Sequence, residues 1–541
     1  MRYKLGSSFS LESKRSTGSF YTNKKIADYI CSWAIRDEGD SILEPSFGDG
    51  VFIEAARQIQ RTISDNYATI HAVELQEEPF LEYFSRPNIT NQIGYKQDFL
   101  RLDKKIKVNA VIGNPPYVSL KNVPLGEKET VRDFLIEHDI KIPLNGSMWY
   151  LFIVKAISHL LPEGRIGFVL PFEITHVKYA YKLWSILSSC FGKISIIRVH
   201  EDFFPEVDVE TVILLADQYG RQTETIEYQL FNSVSDMQMN KELLIKTISI
   251  KDILTGAKPF LSALLSDSQA ELLCELRSKN LIKPLSQLCN FSIGYVCADK
   301  EYFHPNTETI KKYELPTENL IPSISGSRQL SKKGIGVTTN RNQHFDQLYL
   351  PNKITSGDMR YLEQGRERLV HEKYKCTQRE PWYITPSVVV PDFVLTTFGD
   401  VPKLLLNSGG FAVSNSLLAG RRRKGTEPER VIPLWYNSIT LLSIELNIHS
   451  LGGGVLVMIP GEVNQLEIAS DLGDEYNKDL ITELDMCMKE RGIEATYELG
   501  DEIVLKRIMG LTQKQIDLIR ESIKTLRFWR HTRERRSKSS N

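Results

Sequence analysis

Residues 42–52 read Ile-Leu-Glu-Pro-Ser-Phe-Gly-Asp-Gly-Val-Phe: a short apolar run ending in the acid Glu44, a loop holding Gly48 and Gly50, and the start of a helical pattern. Two glycines let the chain turn tightly and approach a ligand closely, as at the first strand-to-helix turn of a nucleotide-binding α/β sheet. Working outward, β-rich runs at 41–44, 70–75, 94–98, 110–113, 165–170, 194–199 and 211–215 alternate with helical patterns such as 51–59 and 149–161. Strands alternating with helices predict a parallel sheet covered on both faces, so the fold class is α/β, a seven-stranded, doubly wound, Rossmann-like sheet. Pro162-Glu163-Gly164 is read as the breaker that ends the second of these helices. Ahead of the sheet, Thr22 caps a helix whose apolar stripe is Ile26, Ile30, Trp33 and Ala34.

The carboxyl edge of such a sheet is where ligands sit, and three acids fall there: Glu44, Glu74 of His-Ala-Val-Glu-Leu, and Asp98 before Phe99. A solvated strand-end acid explains any one of them; three at successive strand ends fit a nucleoside pocket better. Glu74 stands where a carboxylate accepts from ribose hydroxyls, and Asp98 offers an acceptor for an adenine amino group beside an aromatic face.

The fourth strand runs straight into Asn114-Pro115-Pro116-Tyr117, a loop with two consecutive fixed φ angles. An exocyclic aryl amine is a poor nucleophile because its lone pair is delocalised into the ring. Acceptors that take its hydrogens draw it towards tetrahedral geometry, and the Asn114 side-chain oxygen and the Pro115 carbonyl supply two. Tyr117 is then placed to stack on the substrate base.

The 541-residue chain exceeds the usual size of one domain, and 41% hydrophobic with 25% charged residues is the composition of a folded globular protein. No apolar run approaches the length of a membrane span and the N-terminus lacks an apolar leader, so a cytoplasmic location without membrane attachment is expected. Seven scattered cysteines form no Cys/His cluster at metal-ligand spacing, and no metal is expected. A net charge of −1 leaves a nucleic-acid partner to local patches. Two stand out: Arg421-Arg422-Arg423-Lys424, and the tail from Arg520 through Lys524, Arg527, Arg530, Arg533, Arg535 and Arg536 to Lys538. A solvated turn and a frayed terminus are the bland readings of both.

Seven blocks occur in order: GSFYTNKKIADYI, LEPSFGDGVF, AVELQ, QDFL, VIGNPPYV, GSMWYLFIVKAISHLLPEGRIGFVLP and FFPEVDVETVILL. Over residues 18–216 the chain thereby resembles the amino-methylating DNA methyltransferases, specifically the TaqI-like gamma class of N6-adenine enzymes within the type II restriction-modification methylases. The resemblance implies S-adenosyl-L-methionine as cofactor. It places Thr22 at the methionine end, Glu44, Ser46 and Gly48 around the pocket, Glu74 on the ribose, Asp98 on the adenine amino group and Phe152 against the adenine ring. Asn114, Pro115, Pro116 and Tyr117 form the catalytic loop, and Phe204, with Phe203 as second choice, is the other aromatic contact to a flipped adenine. One departure is visible: PSFGDG replaces the usual PACGSG-like form, which touches pocket packing rather than cofactor identity.

The resemblance further implies a C-terminal mixed α/β target-recognition domain that reads double-stranded DNA. The boundaries expected are 1–225 catalytic, 226–260 linker, 261–512 recognition, and 513–541 a basic helix and tail. Trp382-Tyr383, residues 407–425, Trp435-Tyr436-Asn437-Ser438 and the cations Arg421 to Lys424 suit DNA contact. About 17 residues precede the first block, which leaves no room for a nuclease domain there; a separate cognate restriction endonuclease and a monomeric state are the expectations. The alternatives are an N4-cytosine, RNA-adenine or protein-glutamine methyltransferase using the same loop, and a catalytically silent DNA-binding subunit.

Overall fold

Ile42–Glu44 (β1) is buried at all three positions, the pattern of a strand covered on both faces. The computed structural model describes residues 22–65, 68–86, 90–201, 210–330, 334–337, 346–450, 454–473 and 479–531. Two units divide the chain, one built on Met1–Ala263 and the other on Leu264–Arg530.

The first unit is a single large sheet. Ile70–Glu74 (β2), Gln92–Lys96 (β3), Val108–Gly113 (β4), Leu160–Pro171 (β5), Phe191–Val199 (β6), Thr211–Tyr219 (β7), Thr225–Phe231 (β8) and Leu244–Ser249 (β9) join β1 in the order β3-β2-β1-β4-β5-β7-β6-β8-β9. Strands β1 to β5 pair in parallel, and β7 enters antiparallel between β5 and β6. All seven expected strands are present in an α/β sheet, which has nine strands rather than seven. The additional pair falls on residues read as a linker. In β8 every second residue, Ile226, Tyr228 and Leu230, is buried, the alternation of a half-covered strand. The turn residues that follow hide this signal in the sequence.

Helix α1, Lys24–Ala34, is capped by the Asn23 side chain, which accepts from the Lys25 N–H, and not by Thr22. Thr22 is thereby left to the site described below. Ile26, Ile30 and Ala34 pack with Phe52, Ile53 and Ala56 of α2, Val51–Ile63, over Ile42, Ile70, Ala110 and Ile112 of the sheet. Each buried Ile or Phe side chain here contributes about 1.5–3 kcal/mol. Past α3, Glu77–Phe84, and α4, Leu125–Glu137, helix α5 covers Met148–Ile157. Strand β5 already begins at Leu160 and passes through Pro162, so the expected breaker is a strand irregularity. Glu163 has φ 61° there, and the register with β4 shifts between Val108 and Ala110.

In the second unit, Cys289–Ile293, Leu417–Arg422, Phe393–Thr396 and Leu404–Leu406 form a four-stranded antiparallel sheet. The helix Gln513–Arg530, set apart in the sequence with the tail as a basic C-terminal segment, is part of this unit. It buries Ile516, Ile519, Ile523, Leu526 and Trp529, and three of its cations meet acids inside the unit. Arg520 lies 2.8 Å from Asp501, and Arg527 and Arg530 each lie 2.8 Å from Glu445, whose side chain is 1% exposed. The apolar face and these buried partners settle where the helix goes; its net charge alone misleads. The remaining tail cations, Arg533 to Lys538, lie outside the described residues.

Candidate active site

The carboxyl ends of β1, β2, β3 and β4 open onto one cavity of about 430 Å³. Thr22, Glu44, Ser46, Gly48, Glu74, Asp98, Asn114, Pro116 and Phe152, each singled out from sequence, all line it. Parallel pairing of β1 with β2 and β4, and of β2 with β3, carries these strand ends to one edge.

The loop after β1 turns on Gly48 (φ 53°) and Gly50 (φ 83°), both in the left-handed region. A Cβ on Gly50 would stand 2.3 Å from the Tyr83 ring, so the close approach of α3 also demands glycine. The backbone N–H of Gly48 donates to Glu74 Oε2 at 3.0 Å and that of Gln76 to Oε1 at 2.7 Å. Glu74 therefore ties the two loops together. Asp98 accepts from the Leu100 N–H at 2.9 Å, and its neighbour Phe99 packs against Phe152 of α5 with ring centroids 5.1 Å apart. Burial raises the pKa of both Glu74 and Asp98.

Glu44 is 1% exposed and accepts a backbone hydrogen bond from Ile53, while its Oε2 is buried with no hydrogen-bond partner. Desolvation first, then the charges of Asp49 and Glu74, push its pKa well above the usual carboxyl value. Asp49 and Glu127 complete a set of five acids on the lining, which among the described residues contains no Lys, Arg or His. Sequence reading missed both: Asp49 sat unremarked inside the glycine loop, and Glu127 carried no signal at all.

Gly113 (φ 153°) lets β4 turn into Asn114. The Asn114 side-chain nitrogen donates to the Thr22 hydroxyl at 3.2 Å, and Ser46 Oγ donates to the Asn114 carbonyl at 3.4 Å. Pro115 is buried, Pro116 faces the cavity and Tyr117 is half-buried beyond it. Burial and the charge of Glu173 push the Tyr117 hydroxyl pKa well up. The segment after Tyr117 is tied to the start of α5: the Met148 N–H donates to the Val118 carbonyl at 2.8 Å. Glu173, just past β5, accepts from Trp149 Nε1 at 2.7 Å and from the Tyr179 hydroxyl at 3.0 Å. No sequence signal pointed to it.

Phe203 and Phe204 lie outside the described residues. Arg421 to Lys424 are exposed at the end of a strand of the second unit. Arg422 lies 3.5 Å from Asp392, and Arg423 donates to the Ser286 carbonyl at 2.9 Å.

A comparison with known families decides what this edge belongs to. Residues 4–254 match the family described as N-6 DNA Methylase, and residues 257–505 match the C-terminal domain of the type II methyltransferase M.Eco57I. The chain belongs to the type II DNA methyltransferases. Among its relatives, type II methyltransferase M.AccI of Acinetobacter calcoaceticus is 26% identical over 404 residues, covering 70% of each chain. Type II methyltransferase M.BstVI of Geobacillus stearothermophilus is 27% identical over 461 residues, covering 73% of this chain and 78% of that one. The DrdV–DNA complex solved by cryoEM shares the fold at a TM-score of 0.52 and 12% identity, over 88% of this chain and 58% of that one. In this methyltransferase no helix among the described residues is long and apolar enough to cross a membrane.

Proposed function

We propose that this protein transfers a methyl group from S-adenosyl-L-methionine to N6 of a flipped-out adenine in a specific double-stranded DNA sequence, as the modification component of a restriction-modification system. The observation that carries this reading is Asn114, Pro116 and the acids Glu44, Glu74 and Asp98 on the wall of one cavity.

The cavity fits the cofactor. Five carboxyl groups, with no cation among the described lining residues, suit a ligand bearing positive charge, and Phe99 and Phe152 suit a purine face. Glu74 is assigned to the ribose, Asp98 to the adenine amino group, and Thr22 with Ser46 to the methionine end. When bound, the cofactor supplies an electrophilic methyl on a sulfonium sulfur.

The protein's part is positioning. Thr22 holds the amide nitrogen of Asn114, which turns the amide oxygen away from Thr22. That oxygen and the Pro115 carbonyl accept the two hydrogens of the adenine amine and align its lone pair for in-line attack, the kind of orientation that lowers a barrier without covalent catalysis. One of those hydrogens leaves to water after transfer. Removing the base from the duplex costs a few kcal/mol, offset by stacking on Tyr117 and Phe204. The second unit supplies sequence reading, with Arg421 and Lys424 as candidate DNA contacts and phosphate contacts fixing register.

Labelled methyl transfer to unmethylated bacterial DNA, with the product digested to nucleosides, tests the reading. N6-methyladenine supports it. N4-methylcytosine, an amine the same loop can hold, would overturn the base assignment, and label in RNA or protein alone would overturn the substrate.

A further inference from the structure

The acids that line the cavity have a thermodynamic consequence for whatever occupies it. Glu44 is the most enclosed of them. One of its carboxyl oxygens takes the Ile53 N–H and the other, buried, meets no donor. Two carboxyl groups act on it by charge, and a thiol and a phenol that burial keeps neutral stand beside them. Asp49 stands on the loop before α2, Glu74 at the end of β2, Cys31 on α1 and Tyr83 on α3, with Asp98 and Glu127 further round the wall. Among the described residues, the cations whose charge reaches these neighbours are paired elsewhere: Lys24, which acts on Cys31, with Asp28 at 2.7 Å, and Arg86, which acts on Asp49 and Tyr83, with Glu54 at 2.7 Å. A carboxylate that is desolvated, surrounded by acids and without a counter-charge binds a proton.

We propose that Glu44 is a charge-specificity residue for the cofactor: it is the neutral acid in the cofactor-free protein and gives its proton to solvent when a cationic cofactor binds, so the site favours the sulfonium over the uncharged thioether product. The step balances simply. The carboxyl O–H breaks, the proton passes to buffer, and the carboxylate left behind faces the ligand's positive charge. Product release is then assisted, because loss of the methyl removes the charge that kept Glu44 ionised and the carboxyl takes a proton back. This rests on S-adenosylmethionine being the cofactor.

Titration calorimetry of the full chain with S-adenosylmethionine, in two buffers of different ionisation enthalpy, counts the protons released. Comparing wild type with Glu44→Gln cancels the ligand's own titration. The expected result is a difference of about one proton per site near neutral pH, together with a loss of preference for S-adenosylmethionine over S-adenosylhomocysteine in the variant. Equal proton counts in the two proteins would overturn the proposal. Should Glu44→Gln not fold, wild type alone decides. Its ratio of affinities for the two ligands rises by up to about tenfold per pH unit until Glu44 is ionised in the free protein; a ratio independent of pH contradicts it. No binding of S-adenosylmethionine at all would overturn the cofactor reading itself, an outcome distinct from binding without proton release.

Discussion

Asn114 donates from its side-chain nitrogen to the Thr22 hydroxyl across 3.2 Å, joining two residues 92 positions apart in the chain. Asn23 takes over the helix cap that Thr22 would otherwise serve. The bond fixes which face of the Asn114 amide is presented to the site.

Replacing Thr22 with Val keeps its shape and removes the acceptor. One hydrogen bond contributes about 1 kcal/mol, so kcat for methyl transfer falls about five- to tenfold while Thr22→Ser stays near wild type. Steady-state rates on unmethylated DNA check this; equal rates for Val and Ser would show that the bond does not orient Asn114.

Glu173 holds the fully buried Trp149 and the Tyr179 hydroxyl on a single oxygen. Glu173→Leu leaves both donors without it, at about 1–3 kcal/mol for a buried one. The melting temperature of the first unit drops by several degrees, and Glu173→Gln, which still offers an oxygen, recovers part of the loss. Thermal melts of both variants decide; an unchanged melt for Leu contradicts the assignment.

His159 is fully buried, with Nδ1 2.8 Å from the Ile106 carbonyl, and burial lowers its pKa from 6.5 to about 4. The folded chain therefore leaves it neutral where the unfolded chain protonates it. Its contribution to stability is present above about pH 6.5 and is lost as pH falls towards about 4. Urea midpoints measured across that window should fall more steeply for wild type than for His159→Gln, and parallel slopes would refute the assignment.

How much of this was legible in the sequence depended on whether the signal was local. Residues 42–52 and 111–117 declared the sheet and its edge, because glycine, proline and strand-end acids act through their own backbone. All seven strands read from alternation are there. Strands β8 and β9 were passed over because turn residues separate them, and Asp49 and Glu127 gained a place only when the fold brought them onto one cavity wall with Glu44, Glu74 and Asp98. The helix Gln513–Arg530 was grouped with the basic tail because its partners Glu445 and Asp501 stand outside the helix in sequence.

Those acids give a further test. Glu445 and Arg530, with side chains 1% and 8% exposed, form a buried pair. Removing one partner of such a pair costs about 3–5 kcal/mol, whereas replacing both by apolar residues is far milder. Glu445→Leu should strongly destabilise the second unit, with Glu445→Leu/Arg530→Met recovering much of the loss in denaturant melts. A double variant as unstable as the sum of its parts would contradict this.

The central claim is that Asn114 orients the reacting amine. Single-turnover methyl transfer by Asn114→Ala, with S-adenosylmethionine binding measured in parallel, tests it most directly. The account predicts that N6-methyladenine formation falls by a hundredfold or more, on the order of 3 kcal/mol in the barrier, while cofactor affinity changes little. Methylation at a rate near wild type would contradict it.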